Sequence, residues 1–176
     1  MTDGSGPSVA ARDDLAGVVD LFGWLTRAEL SRALSELAFK RRAEADAAAI
    51  DAAIDLAVAE YALVPAPGEA LSGGDGPGGP GDGAALAVGP AAFPTLPDGA
   101  ADLPHVLDVP DREVDREVLA DAVLDRLGGE AVAAIDAGDA DRLATLADVT
   151  YDVEAWAPVD VGPVRERIVA ELGDGA

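Results

Sequence analysis

Two amphipathic segments that follow one another between Thr26 and Val64 constrain the fold of this chain more than any other feature. In the first segment, Thr26 and Glu29 have the spacing of a capping box, which predicts the start of a helix. Apolar residues then recur at helical spacing; they are Leu30, Ala33, Leu34, Leu37 and Ala38. In the second segment, Asp46 can cap a helix whose apolar face carries Ile50, Ala53, Ile54, Ala57, Val58 and Tyr61. The sequence therefore predicts two helices joined by a short turn.

A further helix is expected before this pair, and two short strands after it. Asp13 or Asp14 can cap the first helix, and Gly23 ends it. The apolar stripe of this helix is Leu15, Val18, Val19 and Phe22. The apolar tail of the third helix and a later apolar run predict strands near 62–66 and over 85–89.

The stretch between the two predicted strands is rich in glycine and proline. Residues 65–83 contain eight glycines and four prolines, a composition typical of flexible loops. Three helices followed by strand, loop and strand is the order of a winged helix with a lengthened wing. We therefore expect a winged-helix-like three-helix unit over 13–92 with a small two-stranded wing and 65–83 as its flexible loop. Residues 1–12 are expected to form a disordered leader.

The remainder of the chain predicts a second helical region. Residues 93–110 contain four prolines and are expected to form an irregular connection. A C-terminal helical region is expected over 111–173. Its expected parts are a helix closed by Gly128-Gly129, a short helix with Val132 and Ile135, a helix over 139–149, an extended segment or loose turn over 151–159, and a last helix capped by Asp160. The fold class predicted is therefore mainly α.

Charge is the most unusual part of the composition. The chain has 34 acidic and 12 basic residues, a net charge of -22, a single lysine, and neither Asn nor Gln. Such a surface suits molar salt, where the Debye length falls to about 3 Å. We interpret the charge as adaptation to a high-salt solvent, with a partner that has a basic face as the alternative.

Two stretches resemble a known family. LAGVVDLFGWLTRAELSRALSELAFKR and LPHVLDVPDREVDREVLADAVLDRL are similar to segments of an uncharacterised family of small acidic proteins from halophilic archaea. The resemblance covers most of the chain apart from the leader and the Gly/Pro-rich stretch. It implies a winged-helix-like N-terminal part and a halophilic cytoplasm. It implies no activity and no functional residue.

A basic cluster at the end of the second helix, Lys40-Arg41-Arg42, is the candidate contact site for nucleic acid or for a protein partner, with Arg27 and Arg32 one or more turns upstream. Trp24 is more typical of core or rim packing, with an exposed anchor for a partner as the alternative. Phosphate contacts need cations, and residues 1–66 carry 11 acidic and 6 basic residues against 23 and 6 in the rest of the chain. However, the third helix, which would be the natural recognition helix, carries only acids: Asp46, Asp51, Asp55 and Glu60. Cations also cap helix C-termini without any ligand.

The sequence contains few residues in patterns typical of a catalytic site or a metal site. The chain has no cysteine, and His105 is its only histidine. Asp136, Asp139 and Asp141 lack the ligand spacing of a calcium loop, so capping by Asp139 is the better interpretation. We expect no enzyme activity, no metal and no cofactor. With neither a secretory signal nor a membrane span, a cytoplasmic location is expected.

Two classes of binding function remain. The favoured hypothesis is a non-catalytic adaptor or regulator that acts through protein–protein contacts in a high-salt cytoplasm, which predicts an exposed apolar patch on one face of the folded monomer. The alternative is a DNA-binding winged-helix transcriptional regulator, which predicts that the cations lie on one exposed face with the wing. No membrane partner is expected.

Overall fold

The computed structural model describes residues 9–42, 46–73 and 83–174, with side chains from residue 12 onward. Its helices are α1 (Val9–Phe22), α2 (Arg27–Lys40), α3 (Ala47–Ala59), α4 (Leu103–Leu107), α5 (Arg116–Ala137), α6 (Ala140–Trp156) and α7 (Gly162–Asp174). Its strands are β1 (Leu25–Thr26), β2 (Leu63–Pro65), β3 (Leu71–Ser72), β4 (Ala85–Val88) and β5 (Glu113–Val114). The chain forms two compact units, and the boundary lies between Val114 and Asp115.

Helix α1 starts earlier than the sequence predicts. It begins at Val9 rather than after Asp13, so the expected leader is wrong for residues 9–12, and residues 1–8 lie outside the described ranges. Asp13 and Asp14 are not caps. The Asp13 carboxylate accepts a hydrogen bond from the backbone N–H of Phe93 at 3.1 Å. These acids lie within the helix because their carboxylates bind a distant segment of the chain. The predicted end is confirmed, since Gly23 has a φ of 89° directly after the last helical residue.

The caps of the next two helices are confirmed. Thr26 accepts a hydrogen bond from the backbone N–H of Glu29, and the Glu29 carboxylate accepts one from the backbone N–H of Thr26. Asp46 caps α3 by accepting from the backbone N–H of Ala48 at 3.0 Å. Capping satisfies backbone donors that a helix start otherwise leaves unpaired, so both helices begin where the sequence predicts.

The small sheet contains one strand more than expected. Strands β2 and β4 pair antiparallel, with Val64 opposite Ala87, which confirms the predicted two-stranded wing. Strand β1 also pairs antiparallel with β4, so the order is β1-β4-β2. The sequence did not predict β1, because a strand of two residues has no recognisable alternation.

The loop between the wing strands is not wholly irregular. A 3₁₀ turn over Gly68–Ala70 leads into β3, which pairs with β5 in a second, two-stranded sheet. The predicted flexible loop over 65–83 is therefore wrong for its first part. Residues 74–82 of that loop lie outside the described ranges.

The predicted irregular connection over 93–110 belongs to the N-terminal unit. It contains α4, and Ala100, Leu103 and Leu107 are buried in the same core as α1, α2 and α3. Pro104 lies in the first turn of α4, where a proline starts a helix rather than breaking it. The first compact unit therefore extends to Val114 and not to residue 92.

The described residues of the C-terminal unit form three helices, and the interruptions differ from those predicted. Helix α5 runs through Gly128-Gly129, and α6 continues to Trp156, so only residues 157–159 of the extended segment or turn expected over 151–159 lie outside a helix. Tertiary burial outweighs the cost of about 1 kcal/mol per helical glycine, because α5 buries apolar side chains on both sides of the glycines. The buried core consists of Leu119, Ala120, Val123, Leu127, Ala131, Ala134, Leu143, Leu146, Val149, Val153, Ala157, Val161 and Ile168.

The fold class predicted from the sequence is confirmed: the protein is mainly α with a small antiparallel wing. Across the described ranges, none of the helices has the length and apolar character needed to cross a membrane.

Candidate partner-binding surface

Helix α2 buries one face and exposes another that carries a large aromatic side chain. Leu30, Ala33 and Leu37 are buried on the inner face. Phe39 is 81% exposed and lies seven residues, or about two helical turns, after the exposed Arg32, on the same face of α2. A single exposed apolar residue is ordinary on a protein surface. A phenyl ring with this exposed fraction, however, gains little of the favourable free energy that its burial would provide.

A shallow apolar groove lies between α1 and α2. It has a volume of about 250 Å³ and is walled by Leu15 of α1, by α2 and by Pro97. The residues that α2 contributes are Leu34, Leu37, Ala38 and Arg41. The α2 residues that line the groove lie three and four positions apart, and Phe39 is not among them, so the groove and the exposed ring lie on different sides of α2.

The far wall of the groove is held in place by α1. The backbone N–H of Thr95 donates to the carbonyl of Asp13 at 3.1 Å, and the Thr95 hydroxyl bonds Asp14 at 2.9 Å. This segment exposes two further apolar side chains, since Phe93 is 75% and Leu96 52% exposed. The N-terminal unit therefore presents several open apolar side chains on the elements that form the groove.

The cations at the end of α2 fall into two groups. Arg41 donates to the backbone carbonyl of Asp98 at 3.1 Å, and Lys40 donates to that of Gly99 at 3.3 Å. Lys40 also lies 3.9 Å from the Asp102 carboxylate. Arg32 and Arg42 are exposed and have no side-chain hydrogen bond or ion pair within the described ranges. The term α2 patch is used below for Arg32, Glu36 and Phe39, which share one face of α2 at spacings of four and three residues.

Arg27 does not join the α2 patch, because two acids of α3 hold it. Its guanidinium lies 2.8 Å from the Asp55 carboxylate and 3.6 Å from that of Asp51. It also donates to the backbone carbonyl of Asp51 at 3.1 Å. The face of α3 that would approach a nucleic acid therefore pairs its acids with this arginine.

Trp24 packs in the core, as the favoured interpretation predicts, and the alternative of an exposed anchor for a partner is wrong. Trp24 is 0% exposed, and its indole N–H donates to the backbone carbonyl of Ser72 at 3.2 Å. The Arg112 guanidinium covers its ring, 3.9 Å from the centroid. Trp24 is buried because the loop after β2 and the segment before α5 both pack over it.

Sequence reasoning missed Phe39 and the groove. Phe39 lies outside the apolar spacing of α2, and that misfit was the signal that could have identified it. The groove could not be inferred, because its wall at Pro97 comes from the segment that was expected to be irregular. His105 is exposed on α4, and no group of carboxylates and histidine suited to a metal ion occurs within the described ranges. Asp139 caps α6 as predicted, by accepting from the backbone N–H of Arg142 at 3.0 Å.

Comparison with known proteins places the chain in a family. The model of a family of unknown function, DUF7109, matches residues 13–173. The chain belongs to DUF7109. The match spans both compact units, so the two units together are characteristic of DUF7109. Comparisons with curated proteins and with solved structures gave no match.

Proposed function

We propose that this protein is a non-catalytic adaptor or regulator that binds a protein partner through the α2 patch. The observation that carries the proposal is Phe39, whose side chain is 81% exposed on a helix that buries its opposite face. Covering such a ring releases roughly 1.5–3 kcal/mol, and aromatic and arginine side chains dominate the energy of protein interfaces.

The charge of the α2 patch differs from that of the whole chain. The chain has a net charge of -22, whereas the α2 patch carries one arginine, Arg32, and one acid, Glu36. Within a high-salt cytoplasm, which we propose as the setting of this protein, charges separated by more than about 3 Å are screened. Binding would then depend on apolar burial and on direct hydrogen bonds of these two charged side chains.

Site-specific photo-crosslinking tests the proposal. Phe39 is replaced by a benzophenone amino acid in the full chain, which is then irradiated in its own cells and digested with nuclease. Tyr151, which is 59% exposed in the C-terminal unit, receives the same replacement as the control. We expect one protein to be attached at position 39 and not at position 151. Attachment of nucleic acid alone, or an identical set of proteins at both positions, would contradict the proposal.

DNA binding is the second candidate, and the order of elements favours it. Helices α1 to α3 and a sheet in the order β1-β4-β2 support the proposal of a winged helix, a scaffold that serves DNA as well as protein contacts. The pairing of Arg27 with Asp51 and Asp55 weighs against it, because a recognition helix must approach phosphates. Binding to fragments of the source genome, measured over a range of salt, tests it. A steep loss of affinity with salt that Arg32→Gln and Arg42→Gln flatten would favour DNA.

A further inference from the structure

We infer that the α2 patch binds a second copy of this chain, with the two α2 helices antiparallel across a two-fold axis. This inference rests on the proposed function and names the protein that the α2 patch binds. It is carried by the order of the side chains along the exposed face of α2, by their sizes, and by two charged groups there that have no partner.

The exposed face of α2 carries its side chains in an order that is complementary to its own reverse. Along the helix this face presents a small side chain, a cation, an acid and a large ring, which belong to Ala28, Arg32, Glu36 and Phe39. Their spacings of four, four and three residues place them on one side of α2, opposite its buried face. An antiparallel copy presents the ring, the acid, the cation and the small side chain in that order. Each group then faces its complement in size or in charge.

A single two-fold axis matches both kinds of pair. The midpoint between Ala28 and Phe39 and the midpoint between Arg32 and Glu36 differ by about half a residue, or roughly 0.8 Å along the helix. One axis at this height therefore brings Phe39 of each copy against Ala28 of the other, and Arg32 of each copy against Glu36 of the other. A parallel arrangement would instead bring each arginine against the same arginine of the other copy, and like charges at an interface oppose association.

The two charges on this face have no partner within the chain. Across residues 9–42, 46–73 and 83–174, neither Arg32 nor Glu36 makes a hydrogen bond or an ion pair through its side chain, although they lie one turn apart. The neighbouring cations Arg27, Lys40 and Arg41 are each held by a carboxylate or a backbone carbonyl. An Arg32–Glu36 pair between copies would satisfy both groups, and direct contact would preserve the pair in molar salt.

The small side chains on this face leave room for the ring of the other copy. Phe39 is 81% exposed, and an alanine opposite it lets the ring pack against the helix. Ser35, near the two-fold axis, is half-buried, and its hydroxyl already donates to the backbone carbonyl of Ser31 at 3.0 Å. Its burial therefore leaves no donor unpaired. Association removes two phenyl rings from water, one from each copy.

Charge exchange between the copies tests the inference. Each copy has a net charge of -22, so sedimentation is measured in molar salt, where repulsion over longer distances is screened. The samples are the full chain, Arg32→Glu, Glu36→Arg, and an equal mixture of these two variants. The matched control is Arg167→Glu, at an exposed arginine of the C-terminal unit.

We expect the wild type and Arg167→Glu to dimerise alike. Arg32→Glu and Glu36→Arg should each raise the dimer dissociation constant about tenfold or more, because two copies of either variant bring like charges together. The mixture should dimerise again, since each position then faces the opposite charge. A monomeric wild type, single variants that dimerise unchanged, or a mixture that stays monomeric although both variants are folded would overturn the inference.

The double variant Arg32→Glu/Glu36→Arg keeps the test decisive if a single variant does not fold. It carries both charges in exchanged positions, so it avoids like charges one turn apart and should dimerise as the wild type does. A monomeric double variant with the wild-type circular dichroism spectrum would also overturn the inference.

The crosslink at position 39 separates this inference from the proposed function. The expected product has the mass of two copies of this chain. Attachment of a different protein at position 39 would overturn the inference and leave the proposed function standing. Absence of any attached protein would remove both.

Discussion

The guanidinium of Arg112 binds the carboxylate of Glu29 through two nitrogens, and this carboxylate also closes the capping box of α2. The same guanidinium donates to the backbone carbonyl of Trp24 at 3.2 Å and covers the Trp24 ring. Arg112 thus connects the C-terminal end of the first compact unit to the start of α2 by hydrogen bonds and an ion pair. Arg112 therefore binds the first turn of α2, the helix that carries Phe39 at its other end.

Arg112→Ala is expected to destabilise the N-terminal unit by about 3 kcal/mol, because it removes one member of a largely buried ion pair and leaves Glu29 without its charge partner. Arg112→Lys should restore only part of this loss, since an ammonium group cannot bind a carboxylate through two nitrogens. Denaturant unfolding in molar salt measures both variants. Arg32→Gln, at an exposed arginine that takes no part in the Arg112–Glu29 ion pair, is the control and should leave the denaturation midpoint unchanged. An unchanged midpoint for Arg112→Ala would show that the ion pair contributes nothing.

Gly17→Ala is expected to destabilise the same unit, although alanine is the better helix former. A Cβ at Gly17 would lie 1.8 Å from the backbone carbonyl oxygen of Thr95, so either α1 or the 93–97 segment must move. The expected loss is about 3 kcal/mol, at the upper end for overpacking. Denaturant unfolding checks the sign, and a stabilised variant would contradict the close contact between Gly17 and Thr95.

Gly128→Ala and Gly129→Ala are expected to have the opposite effect. Neither glycine has any atom near the position of an added Cβ, and both lie inside α5. Each substitution should stabilise the C-terminal unit by roughly 0.5–1 kcal/mol through helix propensity alone. Thermal unfolding followed by circular dichroism provides the measurement. Destabilisation by either alanine would indicate that α5 is broken at the glycine pair, as the sequence had suggested.

Trp24 is expected to be shielded from solvent in the folded protein. In the Trp156→Phe variant, Trp24 is the remaining tryptophan, and its 0% exposure predicts blue-shifted emission that iodide does not quench. Denatured protein of the same variant supplies the fully quenched reference. Quenching of the native protein to the denatured level would restore Trp24 as a candidate partner contact.

The parts of the fold that depend on local signals could be predicted from the sequence. The capping box at Thr26 and Glu29 and the stop at Gly23 specify helix ends through neighbouring backbone groups, so the bounds of α2 and the end of α1 were recognisable. The strands that flank the glycine-rich loop were recognisable for a similar reason, since apolar runs next to prolines and glycines are characteristic.

The remaining features depend on contacts between distant residues. Asp13 and Asp14 have the composition of caps but bind residues 93–95, a role that no local pattern reveals. Gly128-Gly129 would end an isolated helix, yet burial of Leu127 and Ala131 maintains α5 across it. The groove arises from the same kind of long-range packing, because α1, α2 and Pro97 together form its walls. The cations of α2 could therefore be listed from the sequence, whereas the groove could not be predicted.

Loss of partner capture by a single change at Phe39 tests the central claim most directly. The full chain, Phe39→Ser and the matched control Val169→Ser, at an exposed valine of the C-terminal unit, are each used to capture partners from the source extract in molar salt after nuclease digestion. The account predicts that one protein is retained by the wild type and by Val169→Ser and is lost with Phe39→Ser. Equal retention by all three, or retention that disappears when nucleic acid is digested, would contradict it.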